Sequence, residues 1–281
     1  MFAAAWRIAR FDLSTAIRTK RALFALILYI LIAIGTGAVA VSIEGSVIAP
    51  MRGTAKAVDA MASVDGSGVK KIEDVLVFFL GDADVAHELL DMPLFVAGFF
   101  WVTLSFLPFL IAMMSADLVS SEVRGRSARF LLLRCPREAL LFGKVMSHGL
   151  LVVIATMVAN VALFLYALAQ LPAFDTVQAL TLMTRFWCLS ICFGFCYLSL
   201  AALVSTLIDS VPVAILALMG ILILFSILSM NDALSPLVPS HYKLGLWSPR
   251  PATAAISVAA YLGFGVVFLT GAWLRLRGRD L

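Results

Sequence analysis

The chain has 281 residues, of which 62% are hydrophobic and 14% are charged, and its formal net charge is +4. This composition excludes a soluble globular protein, because several apolar stretches of about 20 residues can each cross a bilayer core as a helix. The alternation of polar and apolar residues that a membrane β-barrel needs is absent. The sequence therefore predicts an all-α integral membrane protein with a single membrane domain over residues 1–281.

The first segment, residues 1–21, contains the stretch "WRIARFDLSTAIRTKR". At helical spacing its arginines lie apart from an apolar face, which consists of Trp6, Ala9, Leu13, Ala16 and Ile17. This pattern favours a helix in the membrane interface, where tryptophan is enriched. A solvated basic tail that only sets the orientation of the chain is the alternative.

Six membrane-spanning helices are predicted, at residues 22–43, 94–114, 145–171, 185–207, 212–229 and 252–274. The tripeptide "AVA" at residues 38–40 resembles a signal-peptide cleavage site. The apolar run before it is longer than a usual signal core and does not begin near the first residue, so we expect a retained span.

The distribution of basic residues predicts the orientation, because cationic loops resist translocation. With the N-terminus in the cytoplasm, 14 of the 21 lysines and arginines are cytoplasmic. They are Arg7, Arg10, Arg18, Lys20, Arg21, Arg124, Arg126, Arg129, Arg134, Arg137, Lys144, Arg275, Arg277 and Arg279. Both termini are therefore predicted to be cytoplasmic. The positive charge reflects this bias, and no nucleic-acid partner is predicted.

Two extracytoplasmic loops are predicted, at residues 44–93 and 230–251. In the first, apolar residues at helical spacing predict an amphipathic helix, at Val69, Ile72, Val75, Leu76, Phe79 and Leu80. His87 stands among four acids, where a solvated acidic face is favoured over a metal site, because a single imidazole without fixed carboxylates binds metal poorly. The second loop has four prolines and cannot be one helix. A partly re-entrant segment and a plain connector are both compatible with it.

Recognisable catalytic motifs are absent from the sequence. The tripeptide "FGK" at residues 142–144 lacks the preceding glycine and the following hydroxyl residue of a phosphate-binding loop. Metalloprotease and serine-hydrolase signatures do not occur either. The predicted spans also lack the internal charges of a proton or sodium relay. The sequence thus predicts no enzyme and leaves the energy source to another molecule.

Three cysteines, Cys188, Cys192 and Cys196, form one stripe of the predicted fourth span, because they are spaced four residues apart. Such a stripe could pass a soft metal, but reduced cysteines pack well between helices, and packing is the favoured interpretation. Asn160 and Thr206 are interpreted as hydrogen-bonding groups between helices. Four glycines are expected to permit close helix approach, at Gly35, Gly37, Gly263 and Gly265.

The most basic stretch, "EVRGRSARFLLLRCPREALLFGK", lies in the predicted cytoplasmic loop at residues 115–144. The positive-inside rule alone permits arginines there. In addition, Asp117 to Leu133 can continue the second span as a helix, which Cys135 and Pro136 break. Pro136 is then placed to open the next helix, with Glu138 in its first turn. We call this predicted helix, break and second helix the elbow.

The elbow resembles the signature of ABC-2 type transporter permeases. The resemblance rests on Glu122, Gly125, the "FLLLR" run, Pro136 with Arg137, and the closing Gly143 and Lys144. It implies a homodimer in the bacterial cytoplasmic (inner) membrane, surrounded by membrane lipid and bound to two copies of a separate ATPase. ATP and magnesium would be held by that ATPase, and this chain would bind no cofactor. The implied function is export of an amphiphilic, lipid-linked, peptide or drug-like substrate.

In the family that the chain resembles, the elbow is the element that couples the permease to the ATPase. The resemblance therefore implies a set of coupling residues, namely Glu122, Gly125, Arg126, Arg129, Pro136, Arg137, Glu138, Gly143 and Lys144. Two other functions stay open, which are export of a metal or sulfur species along the cysteine stripe and a membrane assembly or signalling role without transport. The substrate, the direction of transport and a further partner on the outer face also stay open.

Overall fold

The structure of the protein is a computed structural model that describes residues 2–18, 20–43, 92–120, 136–171, 175–248 and 250–278. These ranges form α1 (Phe2–Arg18), α2 (Lys20–Ile43), α3 (Leu94–Ser115), α4 (Arg137–Gln170), α5 (Thr176–Leu207), α6 (Val211–Leu228) and α7 (Pro251–Arg277). Two short 3-10 helices, Ser235–Leu237 and Pro239–Leu246, lie between α6 and α7. The described residues form no strand, which agrees with the predicted all-α class.

Five helices, α3 to α7, are long and apolar enough to cross a membrane. In α2 the corresponding apolar part, Leu26–Ser42, is shorter. The whole of α2 has 24 residues, which at 1.5 Å per residue makes it about 36 Å long. Length and composition therefore support five spans directly, and the sixth remains a prediction.

Three predicted boundaries differ from the structure. The third span, predicted at residues 145–171, is part of a helix that begins eight residues earlier, at Arg137. The helix predicted at residues 185–207 begins nine residues earlier, at Thr176, because the carboxylate of Asp175 accepts hydrogen bonds from the N–H groups of Val177 and Gln178. The prediction that the second span continues as one helix from Asp117 was wrong. The helix α3 ends at Ser115, and residues 116–119 form a turn.

Three predicted features lie outside the described residues. These are the amphipathic helix of the first outer loop, the acidic residues around His87, and residues 121–135 of the elbow. The helix predicted to open after Pro136 is confirmed, because α4 begins at Arg137 with Glu138 in its first turn.

The helix α5 lies at the centre of the bundle and packs against α3, α4 and α7, while α1 packs against α4 and α2 packs against α3 and α4. Buried polar side chains connect these helices. The hydroxyl groups of Tyr29 and Thr103 lie 3.0 Å apart, between α2 and α3. The amide of Asn160 donates to the carbonyl of Met183 at 3.1 Å, which confirms the predicted bond between helices. The hydroxyl of Thr206 donates to the carbonyl of Leu203 within α5 at 2.7 Å.

One proline, Pro108, lies inside α3. Because proline has no backbone N–H, the helix lacks one of its internal hydrogen bonds at this position. The two halves of α3 lie against different parts of α5. Phe100 in the first half stacks on Phe186, near the beginning of α5, at a ring distance of 4.2 Å. The turn after the second half is bonded to Ser205, near the end of α5, through the N–H group of Val119.

Two of the four predicted glycine contacts are confirmed. A Cβ atom on Gly37 would collide with the side chain of Leu163, which is fully buried, and one on Gly265 would lie 2.6 Å from the ring of Phe195. A Cβ atom on Gly35 or Gly263 would meet no atom of the described chain within 4 Å. Of these four glycines, Gly37 and Gly265 are therefore the two that serve helix packing among the described residues.

We expect Gly37→Ala to destabilise the protein relative to Gly35→Ala. Both substitutions raise the helix propensity by the same amount. Only Gly37→Ala forces Leu163 to move in a packed core, which should lower the free energy of unfolding by about 1–3 kcal/mol. Thermal unfolding of the two purified variants in the same detergent measures the difference. Equal unfolding temperatures would contradict the close approach of α2 to α4.

Candidate coupling site

The elbow residues 121–135 are flanked by the end of α3 and the beginning of α4. On the α3 side, the backbone N–H groups of Val119 and Ser120 donate to the hydroxyl of Ser205 at 2.8 and 3.1 Å. All three residues are buried. These two bonds use backbone N–H groups that would bond within the helix if α3 continued. This explains why α3 ends at Ser115. The chain that enters the elbow is thus attached to α5.

On the α4 side, Arg137 connects the elbow to α7. Its guanidinium donates to the carbonyl of Leu276 at 3.2 Å and to that of Arg277 at 2.7 Å. These carbonyls belong to the last turn of α7, where backbone acceptors have no partner within the helix and a cation is favoured by the helix dipole. Glu138 lies in the first turn of α4, where the dipole favours an anion.

One turn later, α4 meets α1 at Gly143. A Cβ atom at this position would lie 2.8 Å from the carbonyl oxygen of Ala5 and 2.9 Å from Cβ of Ile8. Because one of these atoms belongs to the backbone, a side chain at Gly143 would push the two helices apart. The glycine of the predicted motif is therefore a packing residue between α1 and α4.

The next residue, Lys144, forms an ion pair with α1. Its Nζ lies 3.2 Å from Oδ2 of Asp12, and the two side chains are only 6% and 17% exposed. Nδ1 of His148 lies 3.1 Å from the carbonyl oxygen of Lys144, and this imidazole also interacts electrostatically with Asp117. Asp12, Lys144 and His148 therefore lie close together where α1 packs against α4, and Asp117 follows the end of α3 within electrostatic range of His148.

The structure thus divides the predicted coupling residues into three groups. Glu122, Gly125, Arg126 and Arg129 lie outside the described residues. Pro136 is exposed, and Arg137 and Glu138 are half-buried, so part of each is open to a partner. Gly143 and Lys144 are buried against α1. The sequence analysis did not identify Asp12, Ser205 or His148, since their partners are distant along the chain and no motif marks them.

A second polar contact occurs in the loop between α6 and α7. Nζ of Lys243 lies 3.2 Å from Oγ of Ser105, and burial lowers the pKa of this lysine. Ser105 is about 16 Å along α3 from Leu94, which is half the length of that helix. Trp247 of the same loop packs edge-on against Phe100 at 4.6 Å. The loop therefore packs against the first half of α3, and both interpretations of this loop stay open.

The cysteine stripe shows a graded environment. Cys188 is exposed, Cys192 is half-buried and Cys196 is buried. Within the ranges that the structure describes, no group of three or more histidine, cysteine, aspartate or glutamate side chains could hold a metal ion. The graded burial fits packing between helices, which was the favoured interpretation of the stripe.

The sequence profile of the ABC-2 family transporter proteins matches residues 6–240, which is well over half of the chain. The chain belongs to the ABC-2 transporter family. Members of this family are generally non-catalytic membrane subunits that pair with an ABC ATPase. The match covers α1 to α6 and both ends of the elbow. No curated protein matches the chain.

We expect Lys144→Met and Asp12→Asn each to destabilise this ABC-2 protein by about 1–3 kcal/mol, because each removes one charge of a largely buried ion pair. The double variant should lose less stability than the two single variants lose together. Thermal unfolding in detergent of the wild type, the two single variants and the double variant gives the coupling energy of the ion pair. Additive losses would mean that the ion pair does not hold α1 to α4.

We also expect Lys243→Met to stabilise the protein by up to about 1 kcal/mol at pH 7, because it removes a half-buried cation whose described partner is a hydroxyl group. Burial lowers the pKa of the lysine because it disfavours the charged form. The charged lysine therefore costs folding free energy at every pH below its folded-state pKa. This cost disappears as the pH rises towards the ordinary lysine pKa of about 10.4. The gain should therefore shrink between neutral pH and pH values of about 10. A gain that does not change with pH would contradict this origin.

Proposed function

We propose that this chain is the permease subunit of an ATP-driven exporter. It crosses the bacterial cytoplasmic membrane six times with both termini in the cytoplasm, and two copies form a pathway between them. Two copies of a separate ATPase supply the energy, so ATP and magnesium are held outside this chain. The transported molecule is an amphiphilic, lipid-linked, peptide or drug-like substrate.

The observation that carries this proposal is the attachment of both ends of residues 121–135 to distant helices. Ser205 holds the entering end to α5, and Arg137 holds the leaving end to α7. Lys144 and Gly143 add a contact to α1. A displacement of the elbow therefore moves several helices together, because each bond is short and buried or half-buried. A loop that served only to connect α3 with α4 would need none of these bonds.

We assign a role to each part of the chain. Residues 1–21 form the interfacial helix, residues 115–144 the coupling elbow, and residues 44–93 and 230–251 the outer loops. Glu122, Arg126, Arg129, Arg137 and Glu138 meet the ATPase, while Gly143 and Lys144 hold the elbow to the membrane domain. The permease itself performs no bond-breaking chemistry.

We expect Glu122→Ala to lower the ATP hydrolysis that copurifies with the tagged permease by about tenfold, as loss of one charged contact worth about 1.4 kcal/mol would do. The matched control is Asp232→Ala, which removes an exposed acid from the loop between α6 and α7 and should change nothing. The measurement is vanadate-sensitive, magnesium-dependent ATP hydrolysis per permease, with the amount of inserted permease determined in the same membranes.

Two outcomes would contradict the proposal. One is a wild-type permease that copurifies with no ATPase. The other is a single cysteine at position 126, in a chain whose four native cysteines are replaced by serine, that reacts with a membrane-impermeant thiol reagent from outside intact cells. A cysteine at position 232 should react under the same conditions and serves as the positive control.

A further inference from the structure

A large apolar groove lies beside α1, apart from the coupling contacts described above. It encloses about 780 Å³ between α1, α4, α5 and α7. Its walls include Trp6 and Arg10 of α1, Phe142 and Leu150 of α4, Phe195 of α5 and Leu269 of α7. Among the described residues that line it, Arg10 is the only charged one, and the hydroxyl of Ser147 is already bonded to the carbonyl of Lys144.

We propose that this groove is a binding site for an anionic phospholipid of the leaflet in which α1 lies. An acyl chain fills the apolar part, and the phosphate of the headgroup meets Arg10 at the mouth. The inference goes beyond the transport function. It depends on the position of α1 at the membrane interface and on no property of the ATPase.

The polarity of the groove favours an acyl chain over water. A cavity with apolar walls does not hold water well, whereas its volume lies within the range of ordinary ligand sites. Several wall residues are large apolar side chains that remain partly exposed, including Phe142 at 39%, Met146 at 39% and Leu150 at 38%. The walls therefore gain stability when hydrocarbon covers them.

The charge at the mouth favours an anionic headgroup. The helix α1 carries three arginines and one acid, and that acid, Asp12, is paired with Lys144. Arg10 is exposed and lines the groove, and Trp6 beside it is 57% exposed, as expected for a tryptophan at headgroup level. Basic pockets between membrane helices attract anionic lipid headgroups in this way.

A second copy of the chain is a poorer occupant of the same surface. A two-fold contact places the same patch of each copy against the other, so the arginines of two α1 helices would face each other. Like charges in such a contact are repulsive. A phospholipid satisfies both the apolar walls and the arginine at once.

The test uses the purified full chain, incubated with vesicles that contain equal amounts of phosphatidylglycerol and phosphatidylcholine. Native mass spectrometry then counts each lipid that the protein retains. We expect the wild type to retain phosphatidylglycerol in preference to phosphatidylcholine. Leu150→Trp fills the groove and should abolish this retention, whereas Ile154→Trp, which lies one turn further along α4 and does not line the groove, should preserve it.

A second pair of variants separates the headgroup contact from general attraction to a charged membrane. Arg10→Gln should lower retention of phosphatidylglycerol about fivefold, since a basic residue near an anionic surface contributes about 1 kcal/mol. Arg7→Gln removes the same charge from α1 outside the groove and should leave retention nearly unchanged. Both arginines are exposed, so neither change threatens folding.

Three results would overturn the proposal. They are equal retention of the two lipids by the wild type, unchanged retention in Leu150→Trp, and equal losses in Arg7→Gln and Arg10→Gln. Because lipid retention is measured without ATP or ATPase, any of these results leaves the permease function untouched. Conversely, a permease that fails to couple to an ATPase can still retain the lipid.

Discussion

The contact between α1 and α4 constrains much of the structure around it. Gly143 lets the backbone of α1 approach α4, and the ion pair of Lys144 with Asp12 fixes the position of α1 along that helix. A largely buried ion pair is favourable only when both charges keep their partners, so the geometry tolerates little displacement. One wall of the apolar groove and one attachment of the elbow follow directly from this contact. Neither would exist if α1 were a detached basic tail.

The elbow attachments suit a subunit that receives mechanical work from a partner. Polar bonds between membrane helices are each modest in energy, but they are directional, and they occur here where the chain enters and leaves the elbow. Ser205 and Arg137 tie these two points to α5 and α7, which are in extensive contact with each other. A displacement of the elbow would therefore act on α5 through Ser205 and on α7 through Arg137.

Local signals in the sequence were sufficient for much of the fold. Apolar runs of sufficient length predicted the five helices that can span a membrane, and Pro136 followed by Glu138 predicted the beginning of α4. The early start of α5 was missed, because its first two turns contain polar residues and Asp175 acts as a cap at their beginning. The end of α3 could not be predicted from neighbouring residues, since the hydroxyl that ends it belongs to Ser205, which is 86 residues away from Val119.

The residues of the candidate site likewise include some that the sequence indicated and others that it did not. The resemblance to the family signature indicated Arg137, Gly143 and Lys144, and the structure supplies their partners. Asp12 and Lys243 appeared in the sequence only as charges in polar segments. Their importance depends on which helix lies opposite, and that is a property of the tertiary fold. The sequence identified the residues of the motif but not the contacts that hold them.

The proline within α3 has a mechanical consequence. Pro108 lies between two halves of α3. The first half contacts the loop that carries Lys243 and Trp247. The second half is followed by a turn that is bonded to α5. A helix that lacks a rung of its hydrogen-bond ladder bends there more easily than elsewhere. The angle between the two halves of α3 can therefore change at a lower cost than in an uninterrupted helix. The helix that joins the first predicted outer loop to the elbow thus has a flexible point near its middle.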